Sequence, residues 1–232
     1  MPGTHAKLVF EETPFGYRTF ADHYRYALDA ESDDGPRPLI LYIGGSIAQH
    51  KYEQRFFTRP DEIEQILDES RKHWELRPLD ALIVSCPYGE SEDLPKRLQF
   101  FREHLLTQLV PAIGNRLPSR IGLVGYSLGA FFATSLAFSL PDVTAMATLG
   151  GSGMLQALVA SGAEQIHGPS MRCFANDLDD LQEESITFAE ALRKHEIYVD
   201  LVKLSGSHPF LGYAENGSVD EAFRFVLSSL FR

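Results

Sequence analysis

From residue 38 onward, short apolar runs rich in β-branched residues alternate with longer stretches of helical spacing, and each run ends in glycine or a polar loop. The spacing predicts strands at Pro38–Ile43, Leu79–Cys86, Arg120–Gly125, Val143–Leu149, Ser170–Ala175 and Tyr198–Leu204. Between and after them it predicts helices at Pro60–Trp74, Leu94–Leu117, Leu128–Leu140, Met154–Ser161, Leu181–Glu196 and Val219–Phe231. A parallel connection needs a crossover of a dozen or more residues, so strands spaced by helices of this length form a parallel sheet covered on both faces. Two earlier strands, Lys7–Glu12 and Tyr17–Leu28, have too little chain between them for a crossover and give the sheet an antiparallel start. The expected architecture is α/β with about eight mostly parallel strands. In such sheets ligands bind beyond the carboxyl ends of the strands, so chemistry is to be sought in the residues that follow each strand.

A chain of 232 residues with no internal repeat and no Gly/Ser or Pro-rich linker is expected to form one domain. Its formal charge of −11 opposes phosphate backbones and anionic lipid surfaces, so neither nucleic acid nor a membrane is an expected partner. No run approaches the roughly 18 apolar residues of a spanning helix, and the start MPGTHAKLVFEE lacks the apolar centre of a signal peptide, which points to a cytoplasmic protein. Cys86 and Cys173 lie in apolar runs, where free cysteine acts as a small buried hydrophobe, and a reducing compartment argues against a disulfide.

After the strand RIGLV comes Gly125-Tyr126-Ser127-Leu128-Gly129, and then a helical stretch. A G-x-S-x-G pattern between a strand and a helix is the setting for a serine on a sharp turn, which only small flanking residues permit. A serine hydroxyl is a weak nucleophile, so it needs a general base and a third group that holds the base. Of the eight histidines, His208 in Ser205–Phe210 directly follows the last strand and can swing over Ser127. The acid is expected after the strand MRCFA, where Asp177, Asp179 and Asp180 stand close together. Asp179 has left the strand far enough to fold back towards His208, with Asp180 second and Asp177 third; aspartates there also serve as caps of the next helix. Acyl transfer further needs backbone N–H groups aimed at the oxyanion. Leu128 supplies one, and the loop Ile43-Gly44-Gly45-Ser46-Ile47 supplies the other from Gly45 or Ser46.

In this order, Ser127, Asp179, His208 preceded by a diglycine loop, the chain resembles the α/β-hydrolase family over nearly its whole length. Within that family the run Phe101–Gly129, which includes LLTQLVPAIGNRLPSRIGLVGYSLGA, is similar to the esterase D group of esterases. It departs from that group at Ala130, where relatives often carry glycine, and in the diglycine loop, which lacks a preceding histidine. The resemblance implies hydrolysis of a small-molecule acyl ester through an acyl-serine intermediate, with no metal or organic cofactor. Only about twenty residues, Gly150–Pro169, separate two successive strands, too few for a large cap, so an open site is expected. Tyr126, Tyr88 and Tyr52 are the candidate substrate contacts, with Phe56 and Phe57 beside Tyr52 in the loop from Gln49 to Arg59.

Other readings meet specific objections. A thioesterase or peptidase would use the same residues, and the sequence does not separate leaving groups. A catalytically silent hydrolase-fold binding protein should lack one of the three residues, and none is missing. A cysteine hydrolase would need Cys86 or Cys173 beside a base, whereas the elbow carries serine. A nucleotide-binding α/β protein would carry G-x-G-x-x-G after its first βα strand or G-x-x-x-x-G-K-[ST], and neither occurs.

Overall fold

The computed structural model describes residues 4–9, 20–26, 37–45, 65, 67, 69, 78–84, 94–112, 118, 120–160, 168–208 and 210–232. Among them eight strands form one sheet: β1 Thr4–Val9, β2 Phe20–Tyr26, β3 Leu39–Ile43, β4 Leu79–Val84, β5 Ile121–Tyr126, β6 Val143–Leu149, β7 Ser170–Leu178 and β8 Val199–Ser207. Their order across the sheet is β1-β2-β4-β3-β5-β6-β7-β8. The pairs β1/β2 and β2/β4 are antiparallel and the remaining neighbours parallel, so the antiparallel start and the six-stranded parallel body are both as the alternation predicts.

The strands β3, β4 and β5 are buried at every position because helices cover both faces, which is why they read as continuous apolar runs. One exception is Asp80 in β4, which lies opposite Arg25 of β2 and accepts a hydrogen bond from its Nε at 3.0 Å; a buried charge needs such a partner. The helices are α1 Leu94–His104, α2 Leu128–Ser139, α3 Met154–Ala160, α4 Gln182–Lys194, α5 Phe210–Glu215 and α6 Ser218–Leu230. A wide π turn, Leu105–Leu109, continues α1 into Val110–Ala112. Pro111 has no N–H for the α-helical pattern, which accounts for the change of winding. Of the predicted helix at 60–74 only residues 65, 67 and 69 are described; they are helical, with Leu67 buried and Gln65 donating to Glu69 at 3.1 Å.

Two cores result. One packs Phe101, Phe131, Phe132, Leu136, Met146 and Phe188 on one face of the sheet. The other packs Tyr42, Tyr126, Phe174, Tyr213, Phe223 and Val226. Helix α2 is buried from Gly129 to Ala137, so it needs no polar face, and it stops before Pro141, which disfavours a helical residue ahead of it. Helix α6 shows the opposite pattern: Val219, Ala222, Phe223, Val226, Leu227 and Leu230 form one apolar stripe at helical spacing. Gly122 lets that stripe approach, since a Cβ there would stand 2.2 Å from Val226 Cγ1.

Two differences from the sequence reading bear on the site. Strands β7 and β8 each run three residues further than their apolar runs, to Leu178 and Ser207. The Asp177 carboxylate accepts the Gly206 N–H at 2.9 Å and the Ser205 hydroxyl at 3.1 Å, so polar contacts extend the pairing past the apolar segment. The short helix α5, absent from the reading, directly follows His208 and Pro209. No helix among the described residues is long and apolar enough to cross a membrane.

Candidate active site

Ser127 lies between the end of β5 and the start of α2 with φ 53° and ψ −124°, a conformation that costs a non-glycine residue about 1–3 kcal/mol. Neighbouring backbone holds it there. The Ser127 N–H donates to Leu149 O at 3.0 Å, and its carbonyl accepts the N–H of Ala130 at 2.9 Å and of Ser152 at 3.2 Å. Both flanking glycines are sterically required. A Cβ on Gly125 would meet Ala130 Cα at 2.7 Å, and one on Gly129 would meet Ile43 O at 2.1 Å and Gly44 O at 2.5 Å.

The loops after β7 and β8 bring two more polar side chains to this turn. His208 Nε2 lies 3.1 Å from Ser127 Oγ, and its Nδ1 lies 2.9 Å from Asp179 Oδ2. Burial pushes the Asp179 carboxyl up, but hydrogen bonds from His208, Tyr213 and the Leu181 N–H outweigh it, so its pKa falls below the ordinary carboxylate value. An ionised carboxylate only accepts, so Nδ1 carries the proton and Nε2 is left to accept from the serine hydroxyl.

Of the three aspartates, Asp179 is the one against the imidazole, with its side chain fully buried while that of His208 is one-third exposed. Asp177 turns outward to Ser205 and Gly206, contacts that lower its pKa, the Gly206 N–H foremost. Asp180 is exposed in the turn before α4.

At the diglycine loop, a Cβ on Gly45 would stand 3.1 Å from Ser127 Cβ and 3.1 Å from the Tyr126 ring, so the loop backbone lies directly beside the serine. Leu128 opens α2, where the first N–H groups have no partner within the helix. Ser46, Tyr52 and Tyr88 lie outside the described residues, as do Cys86, Phe56 and Phe57. Tyr126, expected at the substrate, is 5% exposed; its hydroxyl donates to His208 O at 2.9 Å, and its ring stacks on the imidazole at 5.5 Å.

Residues the sequence reading passed over complete the arrangement. The Tyr213 hydroxyl donates to Asp179 Oδ2 at 2.5 Å. Gly150 follows β6 with φ 52°, and a Cβ there would meet Asp179 Oδ2 at 2.5 Å, Tyr213 Oη at 2.7 Å and His208 Nδ1 at 3.1 Å. Asn176 is fully buried and donates to Ser207 O at 3.1 Å, while Asn216 donates to Asn176 Oδ1 at 2.8 Å and to Ser205 O at 3.1 Å. These bonds tie the β8–α5 turn that carries His208 to the end of β7. The signal for Tyr213 was its spacing: Phe210 and Tyr213 are three apart, ahead of an Asn216-Gly217 turn, as in one buried helical turn.

No protein-family model matches the sequence, and no curated protein matches it. Solved structures do match. A ferulic acid esterase is similar with a TM-score of 0.71 at 13% identity, over 97% of this chain and 98% of that one. The S-formylglutathione hydrolase FrmB from Staphylococcus aureus gives 0.65 at 13% identity, over 99% of both chains. The fluorophosphonate-binding serine hydrolase FphF of the same organism gives 0.67 at 15% identity, over 100% of both. These neighbours are esterases and serine hydrolases, and what this chain shares with them over nearly its entire length is the α/β-hydrolase fold.

Proposed function

We propose that the protein is a serine hydrolase that cleaves small-molecule carboxylic esters through an acyl-serine intermediate. The observation that carries this reading is the continuous chain from Ser127 Oγ to His208 Nε2 at 3.1 Å and from His208 Nδ1 to Asp179 Oδ2 at 2.9 Å, at a strained strand-to-helix turn. Ser127 Oγ attacks the ester carbonyl while His208 Nε2 takes its proton. Asp179 fixes the imidazole and stabilises its charged form. The tetrahedral oxyanion accepts from the Leu128 N–H and from that of Gly45 or Ser46. Collapse expels the alcohol, which receives from His208 the proton that Ser127 gave up. Water then attacks the acyl carbon while His208 Nε2 takes one of its protons, and collapse returns that proton to Ser127 Oγ as the carboxylic acid leaves. A thioester or amide would pass through the same steps, and a cytoplasmic location is part of the proposal.

The test is hydrolysis of p-nitrophenyl esters from acetyl to dodecanoyl, extended to a ferulate ester and to S-formylglutathione, which two of the similar structures suggest. It is run beside fluorophosphonate labelling of wild type and Ser127→Ala. Turnover and labelling that both vanish in Ser127→Ala support the reading, and chain-length preference reports pocket depth. Residual turnover in that variant refutes Ser127 as nucleophile. Absence of both signals in the wild type would leave a silent binding protein.

A further inference from the structure

We infer that Tyr213 is a positioning residue for the proposed base: its hydroxyl holds Asp179 Oδ2 and so sets how strongly Asp179 draws on His208. The inference rests on the hydrolase reading above.

Helix α5 begins two residues after His208 and carries Tyr213 back against Asp179, where the phenol is fully buried. Its hydroxyl reaches Asp179 Oδ2 at 2.5 Å, the same oxygen that faces His208 Nδ1 at 2.9 Å. The Asn176 N–H donates to Tyr213 Oη at 3.4 Å, which leaves the phenolic proton for the carboxylate. The other carboxylate oxygen, Oδ1, accepts the Leu181 N–H at 2.8 Å. Among the described residues the Asp179 carboxylate is thus held by three donors, one of which is the imidazole.

A phenol placed for packing alone could be replaced by phenylalanine, since a buried hydroxyl costs desolvation unless it is bonded. Here it bonds to a charge, the stronger kind of hydrogen bond. Burial, then the hydrogen bond to Asp179 and that carboxylate's charge, push the Tyr213 phenol well above its ordinary value, so it remains a donor throughout the working range. Tyr126 is the other titratable group packed against the pair among the described residues, and burial followed by the Asp179 charge raises it too. Neither tyrosine competes for the transferred proton. A carboxylate oxygen shared with a second donor holds the imidazolium less strongly than an unshared one. Tyr213 therefore weakens the pull of Asp179 on the His208 Nδ1 proton while it fixes the orientation of Asp179.

The experiment compares wild type with Tyr213→Phe in three ways: ester kinetics from about pH 5 to 9, thermal unfolding, and the downfield proton resonance of His208 Nδ1. The expected result is a fall in kcat of about three- to tenfold with KM within about twofold. The acid limb of the pH–rate profile should move to higher pH, and the Nδ1 proton resonance should move downfield. A variant with the wild-type acid limb and the wild-type resonance overturns the inference, whatever its melting temperature. If Tyr213→Phe does not fold, a ring-fluorinated tyrosine placed at 213 keeps the shape and strengthens the donor. It must move the acid limb to lower pH, and an unmoved limb overturns the inference. The proton resonance needs no turnover, so its constancy strikes the inference alone. Loss of wild-type turnover and labelling strikes the hydrolase reading.

Discussion

Replacing Gly129 by alanine should disable the site and destabilise the fold together. The added Cβ would stand 2.1 Å from Ile43 O, 2.5 Å from Gly44 O and 2.7 Å from Ile43 C, all backbone atoms. Relieving these contacts needs a shift of about 1 Å. Strand β3 cannot supply it, since Ile43 is paired on one side with Val84 and on the other with Gly125, and the Gly44 N–H donates to Val84 O at 2.9 Å. Helix α2 must move instead, although it is buried from Gly129 to Ala137. Overpacking of this kind costs about 1–3 kcal/mol, against a gain of at most about 1 kcal/mol from the better helix former, so a net loss of about 1–2 kcal/mol follows. For a chain of this size that lowers Tm by roughly 2–8 °C. The shift also separates the Leu128 N–H from the Gly45 loop, and a misplacement of about 1 Å costs on the order of 10²-fold in kcat. Differential scanning calorimetry and p-nitrophenyl acetate kinetics read both effects. Gly217→Ala is the control: its φ is 80° but nothing lies within 4 Å of a Cβ there, so stability falls slightly and kcat is retained. A Gly129→Ala protein with wild-type Tm and kcat would refute the steric account.

The other predictions concern charge and burial. Asp179→Asn should lower kcat by about 10³- to 10⁴-fold, as loss of the group that fixes the imidazole tautomer does elsewhere. Asp177→Asn and Asp180→Asn should stay within about threefold of wild type, and if Asp179→Asn is nearly wild type the assignment of the acid is wrong. Because folding lowers the Asp179 pKa, the stability it contributes is complete above its unfolded value near about pH 4 and is lost as pH falls through the folded value. The melting curves of wild type and Asp179→Asn should therefore converge in acid, and a constant gap would contradict the sign. Burial pushes the Cys173 thiol up to about 11 and the residue is fully buried, so thiol reagents should label it only on unfolding. Peptide mapping that found native-state labelling at Cys173 would contradict its placement.

The sequence made the site legible where function depends on sheet topology. Ser127, Asp179 and His208 each follow a strand, and a parallel sheet delivers such residues to one edge whatever the loops between them do. Choosing Asp179 over Asp177 depended on how far each had left the strand. Asp179 lies beside His208 although β7 runs three residues longer than its apolar stretch. Contacts made by polar side chains were not legible. The Asp177 bonds that lengthen β7 and β8, and the Asn176–Asn216 bond that ties down the His208 turn, join positions 29 and 40 residues apart, with no periodicity to announce them. Helix α5 leaves only one trace in the sequence, Phe210 and Tyr213 three apart, because six residues are too few for helical spacing to repeat. Tyr126 stands next to Ser127 in the elbow, and alternation along β5 sends its ring to the face opposite α2, against Phe210 and Tyr213.

Ser127 and His208 are 81 residues apart, and helix α5, which carries Tyr213 against Asp179, follows His208. During synthesis the elbow leaves the ribosome well before the proposed base, and chains fold from the amino end as they emerge. A nascent or carboxyl-truncated chain would present the serine turn with no imidazole to take its proton. On the proposed reading, fluorophosphonate reactivity should therefore appear only once β8 and the turn that carries His208 have joined the sheet.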